Sequence, residues 1–232
     1  LALRGKSRLR FRPSADMLKG GVPHDIMTAG IPACVMTLFE NISYAVLDSR
    51  MSLFGVDYQA GIGVAKKVNM LAHSVVRGIA QGALPLIGYN YSSGNRRRMF
   101  RSFRVASLFA VGTAALCMWA NLAFARPLVG IFIRKDGVSL DAGASFLRIL
   151  CVGGPFSAFA YTVISFFQAV GEGKRSFLLA TLRKGFVDIP LMFLLGFLIP
   201  IFGIVAATPV ADAICCMVAV IMFRRCISRS EK

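Results

Sequence analysis

Acidic residues are scarce in this 232-residue chain: eleven Asp and Glu stand against 27 Lys and Arg, and charge of either sign makes up only 16% of it. Hydrophobic residues make up 56%, 19 of them Phe, and the mean hydropathy is +0.65. Soluble domains carry about 45–50% apolar residues even with glycine included, so this is not a soluble globular composition. The two histidines, His24 and His73, are isolated from each other, which argues against a shared metal site. The six cysteines lie within or at the ends of apolar segments and show no Cys-x-x-Cys spacing, so they read as small buried apolar residues. No phosphate loop of the Gly-x-x-x-x-Gly-Lys type occurs, which argues against ATP-driven work within this chain. The Tyr-Asp and Gly-x-Gly-Asp contexts of an aspartyl membrane protease are missing too. The chain is not expected to be an enzyme, and no cofactor is expected beyond a coupling ion.

What is abundant is apolar sequence in long runs. Crossing a hydrocarbon core of roughly 30 Å takes about 20 mostly apolar residues in a helix. Six segments of that kind are predicted, over residues 25–47, 59–88, 102–124, 142–170, 176–200 and 203–223. Continuous apolarity without ten-residue alternation excludes a membrane β-barrel. The fold class is therefore an all-α integral membrane protein, a bundle of six transmembrane helices over residues 24–226. Residues 1–23 form a basic arm or linker, and 227–232 a short tail. Pro32, Pro85, Pro155, Pro190 and Pro209 fall inside five of the spans, a distribution that favours bent helices in a conformationally active bundle.

The net charge of +16 would suggest nucleic acid in a soluble protein. Here the basic residues cluster between apolar stretches, so membrane topology explains them and no nucleic-acid partner is expected. The arm carries Arg4, Lys6, Arg8, Arg10, Arg12 and Lys19 with no cleavable apolar core behind them, so no signal peptide is visible. The second connection carries Arg96, Arg97, Arg98, Arg101 and Arg104, the fourth Lys174 and Arg175, and the tail Arg224, Arg225, Arg229 and Lys232. The other connections are poorer, with Arg50 in one and Arg126, Arg134 and Lys135 in another. Basic loops stay in the cytoplasm, which places both termini there and the protein in the cytoplasmic membrane. Lys66 and Lys67 are the awkward pair, set near the outer end of the second span, where they would snorkel or face a wet cavity.

An ionisable group in the bilayer costs about 2.5–3.5 kcal/mol on insertion scales, so each one needs a partner or a purpose. Glu40 is the clearest candidate, near the middle of the first span with no basic residue within two turns. A carboxyl in that position can take up and release a proton, or be held ionised by a bound cation. Asn41 and Tyr44 add polar groups beside it, Tyr44 one turn along the same face. Asp212 is a second candidate, without a basic partner in its own helix nearer than Arg224. Asp188 is a third, but Lys184 and Arg183 lie four and five residues before it and offer a local ion pair. Asp48 is expected near the outer end, facing water. Arg77, deep in the second span, is a counter-ion for an acid that the sequence does not identify.

Four ordered motifs resemble one family. Gly78-Ile-Ala-Gln-Gly-x-x-Pro-Leu-Ile-Gly-Tyr-Asn-Tyr91 resembles the eighth helix of multidrug and toxic compound extrusion (MATE) transporters. Gly30-x-Pro32 followed by Glu40 resembles the seventh, where a glutamate at that spacing is implicated in cation coupling and substrate binding. Phe167-Gln168-Ala169-Val170-Gly171 resembles the close of the tenth, and Leu182-Arg183 with Ile189-Pro190-Leu191 resembles the eleventh.

The resemblance implies the C-terminal half of a twelve-helix exporter whose two six-helix lobes rock about a central cleft, exchanging H⁺ or Na⁺ for organic cations. The chain starts with Leu, which also suggests a fragment. Expected partners are the lipid bilayer, organic cation substrates, and either an N-terminal six-helix lobe or a second copy of this chain. Glu40, Asn41, Tyr44, Asp212, Asp188, Gln81 and Gln168 are the expected cation-coupling and substrate-binding residues, with Glu40 the ligand if the ion is Na⁺. One departure weakens Na⁺: some members carry an aspartate just after the tenth-helix glycine, where this chain has Glu172, Gly173 and Lys174 after Gly171. Two alternatives stay open, a lipid-linked saccharide flippase of the same superfamily and a non-transporting membrane subunit.

Overall fold

The computed structural model describes residues 22–133 and 137–230. The basic arm up to residue 21, Arg134 and Lys135 of the third connection, and the last two residues of the tail lie outside the described residues. The bundle is helical, and its elements follow the six predicted segments in order. They are α1 (Val22–Ser52), α2 (Val56–Gly82) with α3 (Leu84–Ser92), α4 (Arg96–Ala123), α6 (Val138–Cys151) with α7 (Gly154–Ala169), α8 (Gly173–Thr181) running through Leu182–Val187 into α9 (Asp188–Leu198), and α10 (Pro200–Ser230). A short α5 (Ala125–Gly130) links α4 to α6. By length and hydropathy, Val56–Ser92, Arg96–Ala123 and Pro200–Cys226 can each cross a membrane, and the α6–α7 pair makes a fourth crossing if its 46° bend is one broken span. The fifth predicted span is cut into short pieces carrying Arg183, Lys184 and Asp188, and it does not pass as one continuous apolar helix.

Three of the five prolines sit where helices break. Pro85 opens α3 directly after the break at Ala83, and Pro155 opens α7 after the bend at Gly153. Pro190 follows the Leu182–Val187 segment, which is wound as a π-helix. A proline lacks the N–H for the i−4 carbonyl and crowds it, and a locally widened turn accommodates that defect. Pro209 lies within a continuous α10, and α1 runs unbroken past position 32.

Two of the family-like motifs close helices in the same way. After α7, the N–H of Glu172 donates to the Phe167 carbonyl at 2.8 Å and that of Gly171 to Gln168, with Gly171 at φ +79°. After α3, Asn95 donates to Asn90 at 2.9 Å and Gly94 to Tyr91, with Gly94 at φ +71°. Both are Schellman closures, in which only glycine takes the left-handed position without strain. Asn95 then caps α4 by accepting from the Arg98 N–H at 3.1 Å, so Arg96, Arg97 and Arg98 form the exposed first turn of that helix. Cations at a helix N-terminus oppose its dipole by about 0.3–1 kcal/mol each, so local helix electrostatics do not account for this arginine run.

Packing divides into two apolar regions. Leu47, Met51, Ile62, Phe146, Leu147, Met192 and Val205 fill one, where Gly61 and Gly143 let α2 and α6 touch backbone to backbone. The other is aromatic: Phe103, Phe166 and Phe223 pack ring on ring at centroid distances of 4.3–5.2 Å, with Phe100 beside them. The polar residues singled out by the sequence occupy a separate region.

Candidate functional site: a buried charge cluster beside a polar recess

Two polar stripes at helical spacing face each other across the bundle. On α1 they are Thr37, Glu40, Tyr44 and Asp48, and on α2 Lys66, His73, Arg77 and Gln81. The α7 residues Tyr161, Ser165 and Gln168 supply a third line at steps of four and three. The π segment contributes Arg183 and Lys184, α9 begins with Asp188, and α10 contributes Asp212.

Arg77 donates through Nη2 to Glu40 Oε2 at 2.5 Å and to the Tyr161 hydroxyl at 2.8 Å. Arg183 donates to the same hydroxyl at 2.6 Å and to Asp212 Oδ1 at 3.0 Å, and its Nη2 stands 3.9 Å from Glu40 Oε1. The Tyr161 hydroxyl thus accepts from two guanidinium groups and donates to Glu40 Oε1 at 3.3 Å, which uses both lone pairs and its one proton. Both guanidinium groups also lie over the Tyr161 ring, at 5.0 Å for Arg77 and 4.3 Å for Arg183. Tyr161 is the hub of the cluster.

A second limb runs from the hub toward Asp48. Lys184 pairs with Asp188 at 3.1 Å, and Ser43 donates to the same carboxylate oxygen at 2.6 Å. Tyr44 sits between two ammonium groups, Lys184 and Lys66, each 5.4 Å from its ring centroid. Lys66 in turn is hydrogen-bonded to Asp48.

Three acids (Glu40, Asp188, Asp212) and three bases (Arg77, Arg183, Lys184) therefore sum to zero charge at the centre. Burial is graded. Arg183, Asp212, Lys184 and Asp188 are at most 4% exposed, Glu40 13% and Arg77 31%. Such pairs persist in a low-dielectric interior only because each charge is matched, and removing one partner strands the other at a cost of about 3–5 kcal/mol.

Arg77 is also the point where the cluster meets open space. It lines an open recess together with Thr37, Ala80, Gln81, Tyr161, Ile164, Ser165 and Gln168. His73 lies on another side of Tyr161, its ring edge-on at 6.4 Å, and lines a second, mostly apolar pocket into which Asn69, Asn121 and Ser157 also reach. Among the described residues no group of three or more His, Cys, Asp or Glu is placed to hold a metal ion.

Of the residues expected from sequence, Glu40, Tyr44, Asp188 and Asp212 come together in this network, and Gln81 and Gln168 line the recess in front of it. Asn41 does not join them: it is exposed and donates to the Thr37 carbonyl at 2.8 Å. Lys66 finds Asp48 as its partner, whereas Lys67 is exposed. Arg183, offered by spacing to Asp188, bonds Asp212 and Tyr161 instead, and Lys184 alone takes Asp188. Tyr161, Ser43, Ser165 and Thr37 were not anticipated. The recurrence of polar residues at 161, 165 and 168 along one face of a mostly apolar helix was the available signal.

The class that the fold and the site define is a multi-helix membrane bundle with charge paired at its centre and a recess at its flank. Comparison with known proteins narrows that class. The MatE family model matches residues 32–194, and the chain belongs to this family. It is 25% identical over 211 residues to the multidrug export protein MepA of Staphylococcus saprophyticus, and 24% over 212 residues to MepA of Staphylococcus aureus strain MRSA252. Each match covers 91% of this chain but 45% of the relative, so the chain spans about half the length of the curated relatives it matches. The fold is shared with a crystal structure of MATE in the straight conformation, at a TM-score of 0.84 and 20% identity over 98% of this chain and 51% of that one. An outward-facing multidrug resistance MATE family transporter of the MOP superfamily gives 0.81 at 21% identity, over 96% of this chain and 49% of that one.

Proposed function

We propose that this chain forms one lobe of a cation-coupled antiporter that exports organic cations or drugs across the cytoplasmic membrane by alternating access. The observation that carries this reading is Glu40, a mostly buried carboxylate held by Arg77, an arginine that is itself partly open to the recess. The multidrug export relatives support it. A second lobe, as the other half of a longer protein or as a second copy, completes the cleft, and both termini face the cytoplasm.

In the inward-facing state Glu40 is ionised, and an entering organic cation competes with Arg77 for it. In the outward-facing state a coupling cation neutralises Glu40 and removes its attraction for the substrate, which leaves. Exchange requires only that the two ligands disfavour each other, a coupling that is reciprocal by linkage. Arg77 acts as a tethered cation that refills the site between cycles. Protons suit this site better than Na⁺, because Na⁺ needs several free oxygens whereas the Glu40 oxygens already face Arg77, Arg183 and Tyr161.

The test is equilibrium binding of a cationic dye to the intact protein in nanodiscs as pH is lowered. Affinity falls with acidification in the wild type, because protonated Glu40 no longer attracts a cation, and Glu40→Gln binds weakly with a flat profile. A Glu40→Gln profile matching the wild type contradicts the assignment.

A further inference from the structure

The arginines at the start of α4 line up with those at the end of α10. Arg97, Arg101 and Arg104 recur at steps of four and three, so they share one face of α4, and all three are exposed. Leu108, 73% exposed, continues the same stripe as an apolar residue. Phe103 and Phe100 pack on Phe223 at 4.3 and 6.3 Å between ring centroids, which brings the exposed Arg224 and Arg225 of α10 to these same turns of α4. None of these five arginines makes an ion pair among the described residues, and Glu172, in the turn after α7, is taken by Arg175. Their depth is set by the rest of the helix. Residues 105–123 carry no charge and, at about 1.5 Å per residue, run roughly 28 Å, close to the thickness of a hydrocarbon core. With that stretch in the acyl region, the arginines stand at the level of the lipid phosphates. Topology signalling accounts for the presence of the charge but not for its gathering at one depth on two helices in contact.

We propose that this face of α4 and α10 is a docking site for anionic phospholipid headgroups, whose phosphates take the unpaired guanidinium groups while the acyl chains lie along Leu108 and the apolar turns beyond it. A guanidinium fork matches two phosphate oxygens. Phosphatidylethanolamine brings its own ammonium and leaves the five charges uncompensated, whereas phosphatidylglycerol brings a phosphate alone. The site is independent of export and needs only that α4 crosses the membrane.

The intact protein in detergent is given phosphatidylglycerol and phosphatidylethanolamine of matched chains in equal amounts, and the retained lipid is counted by native mass spectrometry. The wild type keeps phosphatidylglycerol in preference by about tenfold or more, each arginine contributing about fivefold near a phosphate layer. Arg101→Gln with Arg104→Gln brings the two lipids close to equal, and Arg101→Lys with Arg104→Lys keeps most of the preference. Because these side chains are exposed and unpaired, the variants strand no partner, and their melting temperatures without lipid match the wild type. Added phosphatidylglycerol raises the melting temperature of the wild type and not that of the double Gln variant. Lys67→Gln, an exposed cation toward the other end of the bundle, leaves the preference intact. Four results overturn the proposal: equal retention of the two lipids by the wild type, an unchanged preference in the double Gln variant, an equal loss in Lys67→Gln, or displacement of the lipid by millimolar glycerol 3-phosphate, which would make the partner a soluble phosphate.

Discussion

The charged centre and the phenylalanine cluster hold the same bundle by opposite means. Phe103, Phe166 and Phe223 bring α4, α7 and α10 together through ring contacts with no polar atom between them. Tyr161, one turn and a half before Phe166 on α7, and Asp212, on α10 ahead of Phe223, belong to the network that ties in α1 and α2. Two helices thus serve both regions. Lipid tails are as apolar as phenylalanine, so the aromatic region has no hydrophobic driving force and rests on close packing, which has one best geometry. The charged region rests on pairs whose members can exchange partners, as Arg77 and Arg183 already share Tyr161 and Glu40. On the proposed mechanism, the first is the packed part of the bundle and the second the switchable one.

The largest effect expected from breaking it is at Arg183. Arg183→Met strands Asp212 and part of the Tyr161 bonding in an interior site, and should destabilise the lobe by about 3–5 kcal/mol, read as a fall in melting temperature in detergent. Adding Asp212→Leu should recover much of that loss, because no unpaired charge is left. Phe166→Ala removes contacts to Phe100, Phe103, Phe167 and Phe223, each worth about 0.5–1.5 kcal/mol, for a loss of about 2 kcal/mol at the low end of that range. Its sharper readout is that the pH dependence of dye binding stays unchanged, since the switchable region is untouched. Lys66→Met is the smallest: the Asp48 side chain is 42% exposed, so solvent screens the pair and the loss should stay under about 1 kcal/mol. A large loss of both stability and binding in Lys66→Met would show that the limb through Tyr44 is part of the switch.

Much of this was legible in the sequence. Apolar length ordered the helices correctly, with three passing as spans and a fourth if α6 and α7 are one broken span, and prolines marked three of the breaks, because a missing N–H acts locally whatever the tertiary context. Glu40 was legible because a lone carboxyl in an apolar run is costly anywhere in a membrane. Its partner was not, since Arg77 lies 37 residues away and only the crossing of α1 with α2 brings them together. Tyr161 escaped notice because the polar recurrence at 161, 165 and 168 marks a face of α7 but does not show that two arginines from other helices reach its hydroxyl. Arg183 and Lys184 looked equivalent as partners for Asp188 until they were seen in the π-wound segment, where the two neighbours serve different acids.

The central claim is that Glu40 is the carboxylate over which substrate and coupling ion compete. Its most direct test is drug resistance conferred on a sensitive host by the intact protein carrying Glu40→Gln, with membrane abundance measured alongside. The account predicts wild-type abundance and loss of resistance. Full resistance at equal abundance would contradict it.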